Sequence, residues 1–292
     1  MHAVLKLSRW HEFIPFAVPL TLVGGLLAYR FNDDVKLDER LFFVLIANFL
    51  AMAYAFMVND IEDAEDDKLN PERGAKNAVS SGEISKSRAW FAAVASAGLA
   101  VVLYGLAGQG AVVSGVVILL LAHFYSWKPV RLKALPIVDV VSHVLMLSTL
   151  LMLAAYLVYS DTLGKAWSMI ISVTLFSAYG QLYNQIRDYE EDRAAGLKNT
   201  ASFLGKQGTT WLSYLAFGGA FVCIFLALSN GVFPLELIGV VVASIPVLFL
   251  VGKGRDFRGS QTSDPVANLQ VQLLVVANLI LICWLVYVMI NP

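Results

Sequence analysis

The segment MVNDIEDAEDDKLNPER, from Met57 to Arg73, contains the change of composition that decides the fold. Its first two residues end a long apolar run, and six carboxylates then follow within eight positions: Asp60, Glu62, Asp63, Glu65, Asp66 and Asp67. An apolar run of about 17 to 25 residues is long enough for a helix to cross a bilayer. The segment therefore indicates a membrane helix that carries a dense group of acids where it reaches water.

Similar apolar runs recur along the whole chain. Of its 292 residues, 58% are hydrophobic and 15% are charged, whereas a soluble domain carries about 25% charged residues. The runs are continuous rather than alternating, which favours helices over the strands of a membrane barrel. We therefore predict an all-α integral membrane protein whose nine transmembrane helices form a single bundle around a central cavity, with residues 1–292 in one domain. The predicted helices cover residues 11–29, 40–58, 89–107, 109–126, 136–158, 166–184, 210–229, 231–252 and 267–290.

The N-terminal segment and the two cysteines each give a simple prediction. The first residues, MHAVLKLSRWHEF, contain no small-residue cleavage site, so we expect them to be retained as the lead into the first helix. Cys223 and Cys283 both fall inside predicted membrane helices. We expect them to be small, buried apolar residues that form neither a disulfide nor a metal site.

The basic residues indicate how the chain is oriented. With the N-terminus in the cytoplasm, all but four of the 21 Lys and Arg residues fall in cytoplasmic segments, as the positive-inside rule requires. The four exceptions are Arg30, Lys36, Arg40 and Lys165. We expect a multi-pass protein, of the inner membrane if the cell is bacterial, with its C-terminus outside. The long charged loops, 59–88, 127–135 and 185–209, would then all face the cytoplasm.

The first acidic segment has the spacing of one helix face. If the second helix continues past the apolar run, Asp60, Asp63 and Asp67 fall within roughly 60° of one another, at about 100° per residue. Asn59 lies beside that stripe, one turn before Asp63. The remaining acids point elsewhere and are expected to form exposed surface: Glu62, Glu65 and Asp66.

A second acidic segment, YNQIRDYEEDRAAGLKNTASFLG (Tyr183–Gly205), repeats the pattern. Asn184, Asp188 and Asp192 are spaced four residues apart, again on one face of a helix. Gly196 then permits the helix to end. Both segments carry an Asn one turn before an Asp, and both lie on the same predicted side of the membrane.

Two such groups of acids favour a metal–diphosphate site over plain exposed surface. Carboxylates about 6 Å apart repel one another by about 3 kcal/mol at an effective dielectric constant near 20. Mg²⁺ relieves that repulsion, prefers oxygen ligands and is commonly held by one or two carboxylates together with phosphate oxygens. Either segment alone is typical of a solvated acidic loop. Together they predict Mg²⁺ ions around a diphosphate, with Lys and Arg of the loops on its remaining oxygens.

The paired motifs resemble those of the UbiA superfamily of intramembrane prenyltransferases. The resemblance rests on NDIEDAEDD (Asn59–Asp67), DYEED (Asp188–Asp192) and the loop YSWKPVRLK (Tyr125–Lys133), and it spans most of the chain. It implies an enzyme that uses Mg²⁺ to transfer a prenyl chain from a prenyl diphosphate to a lipophilic acceptor, through an allylic carbocation-like state. The acceptor stays open between a quinone precursor, a carotenoid or other isoprenoid, and a lipid or sugar phosphate.

The resemblance also implies roles for residues of this chain. The implied metal ligands are Asp60, Asp63, Asp67, Asp188 and Asp192. The implied catalytic residues are Asp60, Asp63, Asp188 and Tyr125. The implied substrate-binding residues are Asn59, Arg73, Lys128, Arg131, Asn184 and Lys198. One departure is that Lys76-Asn77-Ala78 stands where family members often have an Arg-Pro pair, so one basic diphosphate contact is a Lys or is absent.

Two further ionisable residues lie inside the fifth predicted helix. Asp139 and His143 are four residues apart in PIVDVVSH, on one helix face. Ionisable residues in a membrane helix are candidates for function, so we place both in the substrate site, where they would orient or deprotonate an acceptor. The alternative is a structural hydrogen-bonded pair.

Two other classes of protein share some of these features. A phosphatidyl-transfer enzyme would need a DG-x-x-AR run, which the sequence lacks. A carrier with acidic cation-binding gates is the non-enzyme alternative, but a carrier is expected to place charges on both access sides, whereas these acids lie on one face. The expected partners are the prenyl diphosphate, the acceptor and membrane lipids, with no nucleic acid. The sequence does not predict an oligomeric state.

Overall fold

The regular structure of the chain is helical, apart from an isolated bridge between Arg255 and Gln261. This holds for the residues that the computed structural model describes, which are 2–194, 196–251, 254–255 and 261–291. The helices are α1 (His2–Ser8), α2 (Trp10–Phe31), α3 (Glu39–Asp67), α4 (Pro71–Lys76), α5 (Lys86–Ala107), α6 (Gln109–Ser126), α7 (Val138–Val144), α8 (Leu150–Tyr156), α9 (Trp167–Arg187), α10 (Tyr189–Ala194), α11 (Thr200–Ser229), α12 (Ile238–Leu250) and α13 (Pro265–Ile290). Lys253 and Arg258, which the orientation argument placed in the cytoplasm, lie outside the described residues.

Seven helical segments of this part of the chain are long and apolar enough to cross a membrane. They are Trp10–Phe31, Glu39–Asp67, Lys86–Ala107, Gln109–Ser126, Val138–Tyr156, Thr200–Ser229 and Pro265–Ile290. The predicted span 166–184 corresponds to α9, which has 21 residues but is too polar to count among these membrane-spanning segments. The predicted span 231–252 corresponds to the shorter apolar helix Leu235–Leu250. An all-helical integral membrane protein is therefore confirmed, whereas nine spans in a single bundle are not.

Helix α3 continues without a break from the membrane span into the first acidic segment. It has 29 residues, and its start is capped by the Asp38 side chain, which accepts a hydrogen bond of 3.1 Å from the Arg40 backbone N–H. Its last turn is Asp-rich and ends at Asp67. The prediction that the second membrane helix continues through the first acidic segment is confirmed.

A buried polar contact fixes the helices around α3. Asn48 is fully buried, and its side chain donates to Thr21 Oγ1 of α2 at 2.7 Å and to the Leu151 carbonyl of α8 at 3.1 Å. The Tyr104 hydroxyl of α5 donates to Asn48 Oδ1 at 2.7 Å. In lipid, hydrogen bonds of this kind between helices select one packing arrangement, because an unpaired amide there is costly.

A π-helical turn, Leu145–Thr149, separates α7 from α8 inside one membrane span. Such single turns are often found at functional sites, and Met146 and Ser148 of this one line the central cavity.

The cysteines differ from one prediction. Both are free thiols, but Cys283 is exposed on α13 and Cys223 is only half-buried, whereas both were expected to be buried. A small apolar thiol is as stable against lipid as in a protein core, so burial could not be inferred from hydropathy.

Candidate active site

A large cavity lies between α2, α3, α6, α9, α11 and α13. Its volume is about 640 Å³. Most of its wall is aliphatic or aromatic, including Phe16, Phe56, Phe176, Phe221 and Phe233. Much of its polar lining comes from the last third of α3, the ends of α6 and α9, and the segments that follow them. That polar lining includes Asn59, Lys133, Asn184, Asp188, Asp192 and Asn199.

The first acidic segment reaches this cavity through Asn59. The Asn59 amide donates to Asp63 Oδ2 at 3.2 Å and to Ser126 Oγ at 3.0 Å. Asp63 also pairs with Lys133, and one of its oxygens lies 3.4 Å from Arg131 Nη2. The segment and the loop after α6 are thus joined by charge-assisted contacts.

Asp60 lies deeper than the other acids of this segment. Its side chain is buried, and Oδ1 lies 3.4 Å from Nη1 of Arg9. Arg9 lines the cavity, makes two hydrogen bonds of 2.8 and 2.7 Å to Glu12, and covers the Phe56 ring at 4.9 Å from its centroid. A fixed guanidinium therefore lies at the cavity wall beside a buried acid.

Asn77 takes the place in which a basic residue was expected. Its amide donates to Asp67 Oδ2 and to the Asp60 carbonyl, both at 2.8 Å, so it holds the end of α3. Lys76 points away, because it pairs with Glu72 at 3.0 Å and both side chains are exposed. The expected basic contact from this run is thus absent from the cavity lining among the described residues.

The second acidic segment keeps its predicted face although the helix breaks. Asp188 leaves the helical region, with φ −88° and ψ 8°, so α9 ends at Arg187 and α10 begins at Tyr189. Its backbone N–H still bonds the Asn184 carbonyl, and the Asp192 N–H bonds the Asp188 carbonyl, both at 2.9 Å. All three side chains line the cavity. Gly196, with φ 71°, ends the segment as predicted.

The carboxylates of this segment have different neighbours. Asp188 receives two hydrogen bonds from Arg187, at 2.8 and 3.1 Å. Asp192 Oδ2 accepts one from the Asn199 amide at 2.9 Å. Burial, and after it the negative charge of Asp188, raises the pKa of Asp192 above its usual value. A nearby cation would therefore stabilise the charged form of this carboxylate.

The two residues at the end of α6 connect the acidic segments. Tyr125 accepts a hydrogen bond of 3.1 Å from Gln181 of α9, and Ser126 accepts the one from Asn59 of α3. At the exposed surface of the protein, Arg73 pairs with Glu191 of α10. The end of α6 therefore contacts both the helix that carries the first acidic segment and the helix that leads into the second.

Asp139 and His143 have separate surroundings. Asp139 is fully buried and accepts hydrogen bonds from Gln185 Nε2 and the Thr200 backbone N–H, both at 2.7 Å, and from the Thr200 hydroxyl. It is not among the described residues that line the cavity. His143 does line the cavity, with its ring centroid 6.0 Å from that of Tyr125.

Two predicted basic contacts lie farther out. Lys128 is exposed, with Nζ 3.4 Å from Asp66, and its backbone N–H donates to Glu62 at 3.0 Å. Lys198 is exposed in the loop before α11. Neither belongs to the cavity lining in the described part of the chain, and the predicted contacts Arg73 and Arg131 do not belong to it either.

Sequence reasoning did not select several polar residues that the structure places at the site: Arg9, Asn77, Lys133, Gln181 and Asn199. Gln181 lies one turn before Asn184, so helical spacing could have found it, whereas Lys133 was marked only by its place in the basic loop. Arg9 contacts Asp60, which lies 51 residues away in sequence, and Asn199 contacts Asp192 across the turn before α11. No local pattern indicates such contacts.

These features define a class: an all-helical membrane protein in which two acidic motifs and a basic loop surround the polar part of an apolar cavity. The chain belongs to the UbiA prenyltransferase family, whose model matches residues 17–271. Family membership identifies it as a prenyltransferase, and the resemblance inferred from the paired motifs is confirmed.

Individual relatives agree with this assignment. The chain is 31% identical over 254 residues to the lycopene elongase/hydratase of Haloferax volcanii, over 82% of this chain and 79% of that protein. It is 24% identical over 204 residues to the lycopene elongase/hydratase of Corynebacterium glutamicum, over 70% of this chain and 68% of that protein. The fold is similar to that of a UbiA homologue from Archaeoglobus fulgidus bound to GPP and Mg²⁺, with a TM-score of 0.74, 20% identity, and coverage of 98% of this chain and 99% of the other.

Proposed function

We propose that this prenyltransferase uses Mg²⁺ to transfer a prenyl group from a prenyl diphosphate to the end of a linear polyene hydrocarbon. The observation that carries the proposal is the two-part cavity. Asn59 of the first acidic segment and Asn184, Asp188 and Asp192 of the second line its polar part, and aliphatic and aromatic side chains form most of the remainder. A diphosphate needs the first environment, whereas a prenyl chain and a polyene need the second.

The residues at the polar part fit Mg²⁺. They are oxygen donors, and no group of three or more His, Cys, Asp or Glu side chains in the described part of the chain converges to bind a metal alone. That arrangement suits an ion held by one or two carboxylates and completed by substrate phosphates. The homologue from Archaeoglobus fulgidus was bound to Mg²⁺ with GPP and with DMAPP. The proposed ligands are Asp60, Asp63, Asp67, Asp188 and Asp192, with Asn59 and Asn184 beside them.

The residues of the chain would bind and orient the donor. When bound, Mg²⁺ supplies positive charge against the charge that grows on the leaving diphosphate. Arg131 and Lys133, which lie beside Asp63, would donate to diphosphate oxygens. The apolar walls would exclude water from the allylic cation, and the Tyr125 ring would face its reacting end.

The acceptor is proposed from chemistry and from the relatives. Lycopene, in the name of the relatives, is a hydrocarbon without an ionisable group, which suits an apolar wall. In the reaction, the C1–O bond of the donor breaks and its electron pair leaves with the diphosphate. The terminal double bond of the acceptor forms a C–C bond to C1. The cation left on the acceptor then loses a proton, or takes up water and loses a proton.

The test uses purified protein in lipid nanodiscs with dimethylallyl or geranylgeranyl diphosphate, lycopene and Mg²⁺. We expect diphosphate release and a prenylated polyene by mass spectrometry, both lost with a chelator and reduced about 100-fold or more in Asp188→Asn. Transfer to 4-hydroxybenzoate instead of lycopene would overturn the acceptor and keep the reaction class. No release with either acceptor, together with ion flux, would favour the carrier alternative.

We also propose that the chain is one domain with the polar part of the cavity and the N-terminus in the cytoplasm, and with the C-terminus outside. The distribution of Lys and Arg supports this orientation. In a variant without Cys223 and Cys283, a cysteine at Lys206 should react with an impermeant thiol reagent only after the membrane is opened, whereas one at Asp161 should react in intact cells. The reverse pattern would contradict the orientation.

A further inference from the structure

Asp139 holds together two parts of the chain that flank the second acidic segment. Its Oδ2 accepts from Gln185 Nε2 of α9 and from the backbone N–H of Thr200, the first residue of α11. Its Oδ1 accepts from the Thr200 hydroxyl and from the Val140 N–H, the latter at 2.8 Å. Four donors therefore use both oxygens of one buried acid.

The directions of these hydrogen bonds are fixed: Gln185 and Thr200 must donate, and Asp139 must accept. The carbonyl oxygen of the Gln185 side chain accepts from the Ala201 N–H at 3.0 Å, so its amide nitrogen must face Asp139. The Thr200 hydroxyl accepts from the Ile137 N–H at 2.7 Å, so its own proton goes to Asp139. An Asn at position 139 would set an N–H group against these donors.

Backbone geometry at the start of α7 supports the same reading. Ile137 has φ 69° and ψ −47°, a region that β-branched residues rarely adopt. A residue stays in such a conformation only where the surrounding contacts fix it, and here its N–H bonds the Thr200 hydroxyl. The junction of α7 with α11 is thus a constrained contact.

The contact between Asp139 and Thr200 lies next to Asn199, which binds an acid of the second acidic segment. Asn199, directly before Thr200, donates to Asp192 Oδ2 at 2.9 Å, while its Oδ1 caps α11 by accepting from the Ser202 N–H at 2.9 Å. Gln185 lies directly after Asn184 and three residues before Asp188. Fixing Gln185 and Thr200 therefore fixes the segment between them at both of its ends.

We propose that Asp139 is a positioning residue, which sets the second acidic segment in the geometry that binds Mg²⁺ and diphosphate through Gln185, Thr200 and Asn199. It does not touch substrate, because it is fully buried behind these residues. The inference rests on the proposed function for its role in catalysis, although the linkage itself can be tested without substrate.

The first test measures backbone hydrogen exchange in the whole protein without Mg²⁺ or substrate. In Asp139→Asn we expect exchange in residues 189–201 to be faster by roughly tenfold or more, because lost hydrogen bonds to a buried acid release this segment locally. The matched control is Asp38→Asn, which loses a carboxylate that accepts from Tyr159 at 2.9 Å and caps α3. This control should speed exchange near residue 40 and leave 189–201 unchanged.

The second test measures the Mg²⁺ concentration that gives half-maximal diphosphate release. Loss of a residue that orients metal ligands typically weakens metal binding or activity by about 10- to 100-fold, so this concentration should rise about tenfold or more in Asp139→Asn. Thr200→Val should act alike and Thr200→Ser should resemble the wild type. The double variant Asp139→Asn with Thr200→Val should lose little beyond the larger single effect.

The outcomes separate the two proposals. Unchanged exchange in 189–201, or exchange raised equally throughout the chain, overturns the positioning role. A Mg²⁺ requirement unchanged in both Asp139→Asn and Thr200→Val, with only the amount of folded protein reduced, overturns it as well. If Asp139→Asn does not fold, Thr200→Val decides in its place. A wild type that releases no diphosphate overturns the proposed function, while the exchange experiment still decides the linkage.

Discussion

Acids of the first segment differ in what lies beside them, although they are identical in type. Asp60 is buried next to Arg9, and Asp63 lies between Asn59 and Lys133. Each of these acids thus has a basic neighbour that a diphosphate could also recruit. Helical spacing predicted which acids share a face, since spacing is a property of one element. It could not predict Arg9 or Lys133 as partners, because they lie tens of residues away in sequence.

Exchange of single acids on α3 should separate the site from the surface. Asp63→Asn should lower kcat by about 100-fold, because it removes a proposed ligand and a partner of Lys133. Asp66→Asn, the same change three residues on, alters an acid whose side chain is 50% exposed and should change kcat less than about threefold. Steady-state kinetics of diphosphate release give both values. Equal losses in the two variants would contradict the assignment of one face to the metal site.

Lys133 should act mainly on binding of the donor. Its side chain is 12% exposed and pairs with Asp63, so Lys133→Met removes a cation from a mostly buried position. Hydrogen bonds to charged groups contribute about 1.5–3 kcal/mol, which predicts a rise in KM for the prenyl diphosphate of about 10-fold or more. Lys68→Met, in an exposed pair with Glu65, is the control and should leave KM unchanged.

At the level of helices, sequence and structure agree where one periodicity runs through an element. The prediction for α3 succeeded because its apolar run and its acids follow one helical register. For α9 the helix was predicted correctly, but its polar residues face the cavity, so it falls short of the hydropathy that marks a span. The break at Asp188 was not predicted. There the Asp188 side chain accepts hydrogen bonds from its neighbour Arg187, and helical spacing does not indicate such a contact.

Close packing of α2 against α8 should make one glycine intolerant of change. A Cβ added to Gly24 would lie 2.2 Å from the Met152 carbonyl oxygen, a backbone atom that cannot move aside alone. Gly24→Ala should therefore destabilise the fold by about 1–3 kcal/mol, as overpacking commonly does. Gly98→Ala is the control: its Cβ would meet nothing within 4 Å, so it should be neutral or slightly stabilising. Unfolding midpoints in detergent compare the two, and equal stabilities would contradict the packing argument.

On the scale of the whole molecule, α3 and the α9–α10 junction lie near one another only because the helices between them return the chain to the same place. The Arg73–Glu191 pair and the Tyr125–Gln181 bond are parts of that return. Composition and charge distribution predicted a membrane protein with two acidic motifs on one side. They could not give the contact of Asp139 with Thr200, because its two partners are 61 residues apart and obey no shared period.

Donor and metal should stabilise the protein together. A ligand at about 100 times its Kd adds about 2.7 kcal/mol to the free energy of unfolding, which would raise Tm by several degrees. We expect this rise with geranylgeranyl diphosphate and Mg²⁺, and we expect a chelator to remove most of it. Asp188→Asn should show little rise under the same conditions. A full rise in the chelator would mean that the diphosphate binds without the metal.

The π-helical turn Leu145–Thr149 sets the angular phase between the two halves of its span. A π turn closes i→i+5 instead of i→i+4 and so holds one residue more than an α turn. Shortening it by one residue would restore a continuous α-helix and rotate Leu150–Tyr156 by about 100° about the axis relative to Asp139. The Leu151 carbonyl would then no longer accept from Asn48, so a single deletion here would break the hydrogen-bonded contact that joins α2, α3, α5 and α8.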